Sequence, residues 1–274
     1  MTRWLAVAAL IWLPVACAES DAVNIEIYLL SPSVIQSRLE SVTQKMIDRR
    51  ARLESLFREA GCDAEYLTEK SIPHLKDPNL VCVLPGMAST MIVVGAHYDL
   101  ANLGMGAVDD WSGAVMLPSL YQSLKSKTRK DTFVFIAFAG EESGLRGSHA
   151  YVKQLSAEER KLIHGMVNLE CLGTSPPKVW ASRADSRLLA LYAHLAPSIG
   201  IKAEASNVDQ IGDDDSHSFL EETIPVITIH SITQDTVSIL HTPADNLKAI
   251  RADDYYDAYR LAANYLALLD QTIH

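Results

Sequence analysis

The sequence predicts a single α/β domain. β-branched and aromatic runs alternate with helix-like segments along a chain of 274 residues, 48% of them hydrophobic, enough to bury one large core. Several of the runs also stop at small residues followed directly by acidic or histidine side chains. In an open α/β sheet the cleft outside the carboxyl ends of the strands is the usual site, so residues far apart in sequence can meet there.

The elements follow in order. Ser31-Pro32-Ser33 reads as a helix start, with a helix expected from Val34 to Ala60. Met91 to Ala96 is an apolar run leading into His97-Tyr98-Asp99 and reads as a strand. Asp110 suits the N-cap of the apolar segment Ala114 to Leu124, inside a helix expected over Ser112 to Lys125. Thr132 to Phe138 reads as a buried strand that presents Glu141 and Glu142 at its end, before a helix from Gly144 to Leu155. Met166 to Leu169 ends at Glu170, a helix follows over Ser186 to Leu195, the run Ile224 to Ile229 ends at His230, and a helix over Ala252 to Leu269 closes the chain.

Residues 1–18 read as targeting sequence and residues 19–274 as the folded domain. Arg3 precedes an uncharged stretch, Trp4 to Ala18, which is short for a membrane span and ends in the A-x-A-like site Ala16-Cys17-Ala18. Export to the periplasm or beyond is therefore expected, with a lipid-anchored form on Cys17 as the alternative. In an oxidising compartment Cys62 and Cys82 can pair, leaving Cys171 free. Strand alternation predicts that Cys171 points away from Glu170 and packs. The net charge of −10, which becomes −11 once Arg3 leaves with the leader, and the absence of a basic run exclude phosphate-backbone binding to nucleic acid.

The chemistry sits at the run ends. Adjacent carboxylates at Glu141 and Glu142 can divide the labour of metal-assisted hydrolysis, one holding a metal while the other takes a proton from water. His97 suits Zn²⁺ through one ring nitrogen, and Asp99, two positions on, can hold the other ring N–H. Asp109 is a possible ligand. The remaining histidines, His74, His149, His164, His194, His230 and His274, read as packed or surface residues, although His230 ends its run as His97 does and can face the same cleft.

Taken together, His97-x-Asp99, Asp109-Asp110-x-Ser112-Gly113, Glu141-Glu142-x-Gly144, Asn168-Leu169-Glu170 and His241-Thr242-Pro243-x-Asp245, in that order, resemble the co-catalytic di-zinc aminopeptidases of peptidase family M28 over roughly residues 80 to 270. The resemblance implies a three-layer α/β/α domain with a mostly parallel mixed central sheet, zinc-exopeptidase-like. It implies His97 and Glu170 on one zinc, Glu142 and His241 on the other, Asp109 bridging, Glu141 as general base and a cis peptide at Asp109-Asp110. Three carboxylates with two neutral imidazoles carry −3, which two Zn²⁺ and one hydroxide balance, whereas a single ion leaves excess negative charge in a cleft.

The chain departs from the family pattern at Asp213-Asp214-Asp215-Ser216-His217-Ser218-Phe219, where Ser216 holds the usual histidine position. Asp215 and His217 are candidates for supporting or substrate contacts, with a solvated acidic loop as the alternative. Trp111 stands where relatives usually have a small residue, and it either walls a pocket or packs. Three functions are compatible with these residues: an exo-aminopeptidase, or a carboxypeptidase or dipeptidase on the same scaffold; a glutaminyl-peptide cyclotransferase; and a zinc-stabilised binding protein. The two complete ligand sets and intact Asp109-Asp110 favour hydrolysis over cyclisation. A purely structural zinc site needs no free base such as Glu141, which disfavours the third.

Overall fold

The computed structural model describes residues 25–101 and 103–273, so the expected leader, with Cys17, and His274 lie outside the described residues. In chain order the described residues form α1 (Pro32–Leu39), α2 (Met46–Glu59), β1 (Leu67–Lys70), β2 (Asn79–Leu84), β3 (Met91–His97), a π-type turn (Ala107–Trp111), α3 (Ser112–Ala114), α4 (Met116–Leu124), β4 (Thr132–Phe138), α5 (Arg146–Gln154), α6 (Ala157–Lys161), β5 (Ile163–Glu170), β6 (Lys178–Val179), α7 (Ser186–Ser198), β7 (Glu204–Ala205), α8 (Ser216–Leu220), β8 (Val226–His230) and α9 (Ala252–Thr272).

One sheet runs in the order β1-β2-β4-β3-β5-β8-β6-β7. Its centre, β4-β3-β5-β8, is parallel, while β1 and β2 on one side and the β6–β8 pair on the other introduce antiparallel neighbours. Period-two alternation sorts the side chains of the strands into two layers. Phe133, Phe135 and Ala137 of β4 join Ile92, Val94 and Val167 under α1, α2, α4, α7 and α9. Val134, Ile136 and Phe138 join Val93 and Met166 under α5 and α8. With both faces covered, the central strands are apolar on both sides, which is why they read as continuous runs rather than alternating ones.

The helix expected over Val34 to Ala60 is instead two, α1 and α2, separated by residues 40–45. Ser41 Oγ donates to the Arg38 carbonyl, competing with the helical ladder, and the Leu39 carbonyl accepts from Trp111 Nε1 at 3.1 Å. Tertiary partners and a local hydroxyl thus take the carbonyls that a continuous helix needs. A disulfide joins Cys62, just past α2, to Cys82 of β2, a pairing that the sequence allows without fixing, and Cys171 is free.

Candidate metal centre

Parallel register puts the functional side chains together. β3 lies between β4 and β5, so His97 at the end of β3 stands between the segment after β4, carrying Glu141 and Glu142, and Glu170 at the end of β5. Gly140 turns the chain immediately after β4 with a φ of +78°, a conformation that suits glycine. Asp99 then fixes that turn, because its two oxygens accept the backbone N–H groups of Glu141 at 3.1 Å and Glu142 at 3.2 Å. Asp99 Oδ1 also lies 3.4 Å from His97 Nδ1, the nitrogen that the HxD spacing leads one to expect beside it.

The Asp109-Asp110 segment is held from three directions. The Asp109-Asp110 peptide is cis, as the resemblance implied. Asp245 accepts the N–H of Val108 at 2.7 Å and that of Asp109 at 3.3 Å. Asp110 Oδ1 accepts from Gly113 N, capping the helical segment as expected, and also from Cys171 N, both at 3.0 Å. A Cβ on Gly113 would come within 2.5 Å of Asp110 Oδ2 and 2.6 Å of the Leu169 carbonyl, so only glycine allows this approach.

Asp109 is the hub. Its Oδ1 lies 2.9 Å from His97 Nε2 and its Oδ2 lies 3.1 Å from His241 Nε2. Glu170 Oε1 is 3.5 Å from His97 Nε2, and Glu142 Oε2 is 3.2 Å from His241 Nε2. The five expected ligands therefore fall into two groups that share Asp109. His97, Asp109 and Glu142 also place ligand atoms within 4.8 Å of one another.

Packing this many acids together perturbs them. Burial, reinforced by Glu170, Asp215 and Asp109, pushes the Glu141 carboxyl up to about 10, and burial with Asp109 nearby pushes Glu142 up to about 7. The hydrogen bond to Asp109 raises His241 to about 9. Burial alone would lower His97, but Glu170 and Glu141 hold it well above the usual imidazole range. Burial works against ionised Asp109 and Asp99 as well, and their histidine contacts outweigh it.

These residues fit zinc. Imidazole nitrogen and carboxylate oxygen are its ordinary donors. Buried Glu142 Oε1 has no hydrogen-bond partner among the described residues, as expected of an atom that awaits a cation. The buried guanidinium close by, Arg49, offers no substitute, because it donates to the carbonyls of Asp99 and Gly106 rather than to the carboxylates.

Arg49 was not visible as a site residue, although it shares a helix face with Leu53, Leu56 and Phe57 at spacings of four, seven and eight. Trp111 packs: it is fully buried and carries Arg49 over its ring. Cys171 corrects the expectation from alternation. It has a φ of +49°, which turns the thiol back so that Sγ donates to Glu170 Oε1 at 3.3 Å and lines the cleft. Asp215 is fully buried with its carboxyl pushed up to about 8 by burial, rather than lying in a solvated loop. Ser216 hydrogen-bonds Asp214, while His217 turns to the cleft rim near Asp213 and Glu221. His230 does line the cleft, with Nε2 at 2.9 Å from the Ser206 carbonyl and Nδ1 accepting from Ile232 N, so both ring nitrogens are occupied.

The cleft beside this centre has a volume of about 690 Å³. One wall is apolar, formed by Trp180, Val208, Ile211, Ile232, Val237 and Leu240.

Residues 79–266 match the sequence model of peptidase family M28. Leucine aminopeptidase 1 of Metarhizium robertsii is 34% identical over 122 residues, covering 40% of this chain and 31% of that protein. Aminopeptidase YwaD of Bacillus subtilis is 30% identical over 169 residues, covering 58% of this chain and 37% of that protein. The chain thus spans well under half the length of these curated relatives. Among solved structures, BSAP, a zinc aminopeptidase from Bacillus subtilis, superposes with a TM-score of 0.63 at 25% identity, over 69% of this chain and 49% of that one. An Acidobacteriales bacterium glutaminyl cyclase superposes with a TM-score of 0.73 at 17% identity, over 93% and 99% of the two chains, a likeness of fold.

Proposed function

The chain belongs to peptidase family M28, and we propose that it is a zinc-dependent exopeptidase that removes N-terminal residues from peptides. The observation that carries this reading is Asp109, one carboxylate whose two oxygens lie 2.9 Å and 3.1 Å from two different histidines, the arrangement of a bridging ligand. His97 and Glu170 would hold one zinc and Glu142 and His241 the other, with Asp109 shared. Bound zinc supplies polarisation of the scissile carbonyl and acidification of the attacking water. Glu141, beside these ligands and lining the cleft, accepts the proton of that water on its carboxylate and returns it to the leaving amine. Zinc held by these ligands would favour the ionised form of Glu141 that this task requires, opposing the burial that raises it. Asp99 keeps His97 oriented and fixes the backbone of both glutamates, so the base and its ligand neighbour are set by one side chain.

The apolar wall of the cleft suits a first residue with an apolar side chain, and the surplus of carboxylates suits a free, positively charged N-terminus. Export to the periplasm or medium is supported by the leader-like residues 1–18 and the Cys62–Cys82 disulfide; a tether through Cys17 is the alternative. Among the described residues no helix is long and apolar enough to cross a membrane.

One peptide tests the reading when supplied with both ends free, N-acetylated or C-amidated, next to an N-terminal-glutamine peptide and a chelator control. Chelator-sensitive cleavage lost only on N-acetylation supports the aminopeptidase. Loss only on C-amidation makes the protein a carboxypeptidase, and cyclisation of glutamine without cleavage makes it a cyclotransferase.

A further inference from the structure

The residue after Glu170 carries a buried group that the proposed reaction does not use, the free thiol of Cys171. Its backbone is left-handed, with a φ of +49°, a conformation that a residue other than glycine holds only where its surroundings impose it. Here they do. Three successive N–H groups past β5 are each claimed by a side chain: Cys171 N by Asp110 Oδ1 at 3.0 Å, Leu172 N by Ser112 Oγ at 2.7 Å and Gly173 N by Ser231 Oγ at 3.0 Å. The Cys171 carbonyl accepts in turn from Ser231 N at 3.2 Å. Asp110 and Ser112 follow β3, and Ser231 follows β8, so the turn is fastened to segments from both strands that flank β5.

The consequence falls on Glu170. Sγ donates to Glu170 Oε1 at 3.3 Å, and Oε1 is the oxygen 3.5 Å from His97 Nε2. The other oxygen, Oε2, accepts from Nδ2 of Asn168 at 3.4 Å, a residue two positions earlier on the same face of β5. Both oxygens of this carboxylate are therefore held by neutral donors, which fix its orientation without cancelling the negative charge that a metal needs. Sγ also lies within 4.8 Å of a ligand oxygen of Asp109, so direct coordination is the competing arrangement.

We propose that Cys171 is a positioning residue for zinc: its thiol, presented by the strained turn, holds Glu170 in the orientation that binds the ion shared with His97, and it acts as a hydrogen-bond donor rather than as a ligand. The proposal rests on Glu170 being a zinc ligand.

The test compares four full-length proteins: the wild type, Cys171→Ala, which removes the donor, Cys171→Ser, which keeps one, and Glu170→Gln. Zinc bound per chain is measured across a series of chelator-buffered free zinc concentrations, and absorption spectra are recorded on the cobalt(II)-substituted proteins. Cys171→Ala is expected to weaken one of the bound zinc ions about tenfold, the lower end of the effect of losing a ligand's supporting partner, because a thiol is a weak donor. Cys171→Ser is expected to recover most of that loss, and the wild type to show no sulfur-to-cobalt charge-transfer band. Wild-type affinity in Cys171→Ala, equal losses in the Ala and Ser variants, or a sulfur-to-cobalt band in the wild type overturns the proposal. If Cys171→Ala does not fold by circular dichroism, Cys171→Gly, which suits the positive φ, carries the same comparison. Glu170→Gln tells the two failures apart: undiminished zinc in that variant sinks the ligand assignment, whereas loss of zinc there with wild-type affinity in Cys171→Ala sinks the positioning role alone.

Discussion

The guanidinium of Arg49 lies 5.2 Å from the centre of the Trp111 ring, and neither side chain reaches solvent. Arg49 belongs to α2, which lies before the family match at residues 79–266, and Trp111 directly follows the Asp109-Asp110 pair. A buried charge from before the family match therefore packs behind the candidate metal centre.

Replacing Arg49 with Met takes this donor from the Asp99 carbonyl, while the Gly106 carbonyl keeps the Trp111 N–H at 3.1 Å. One orphaned buried acceptor costs about 1–3 kcal/mol, so a loss of about 2 kcal/mol is expected, read as a lower urea midpoint. Arg49→Lys keeps the charge and loses the fork, and is expected to fall between Met and wild type.

Glu141 and Glu142 should separate by role. Glu141→Gln is expected to lower turnover by about a hundredfold or more while zinc content is kept, the scale of a lost general base. Glu142→Ala is expected to lose bound zinc. Equal zinc loss in both variants, measured by metal analysis, would contradict the assignment.

The chelated protein should lose stability as pH rises. Glu141 and Glu142 are raised to about 10 and 7, so each favours folding in its protonated form below about 4.5 and withdraws that support as pH climbs through the folded value. His97 and His241, also raised, withdraw theirs above the ordinary imidazole range. All four act in the same direction, so the melting temperature of the chelated protein is expected to fall between about pH 5 and 9. Glu141→Gln should raise it at pH 8. A melting temperature that rises over that range would contradict the assignment.

Removing the Cys62–Cys82 bridge by double Ser substitution releases a constraint spanning 20 residues and is expected to cost about 2–4 kcal/mol. Reductant should shift the wild-type unfolding midpoint similarly and leave the double variant unchanged.

The strands, and the convergence of the five ligand candidates, were legible because apolar runs bounded by small residues also fix where their ends meet. Met91 to His97 and Thr132 to Phe138 match almost residue for residue. The break at residues 40–45 was not legible, since it depends on Trp111 claiming the Leu39 carbonyl 72 positions earlier. Cys171 was misjudged because period-two reasoning assumes extended backbone, and its positive φ reverses the side chain. Arg49 was hidden in an arginine-rich segment, where only its place on the apolar face of α2 marks it as buried.

Asp245 holds the N–H of Asp109 across 136 positions of chain, and His241 comes from the same late segment. On the proposed assignment, the half of the metal centre that includes His241 forms only when the C-terminal part of the chain has docked. Contacts this distant in sequence close late, because the loop entropy must be overcome before they form. Zinc uptake during refolding should lag the recovery of sheet signal, and a nascent chain halted before residue 241 should be unable to retain the second ion. If the proposed assignment holds, metal capture would double as a readout of completed folding, because a chain misfolded at its C-terminus would lack His241 in place.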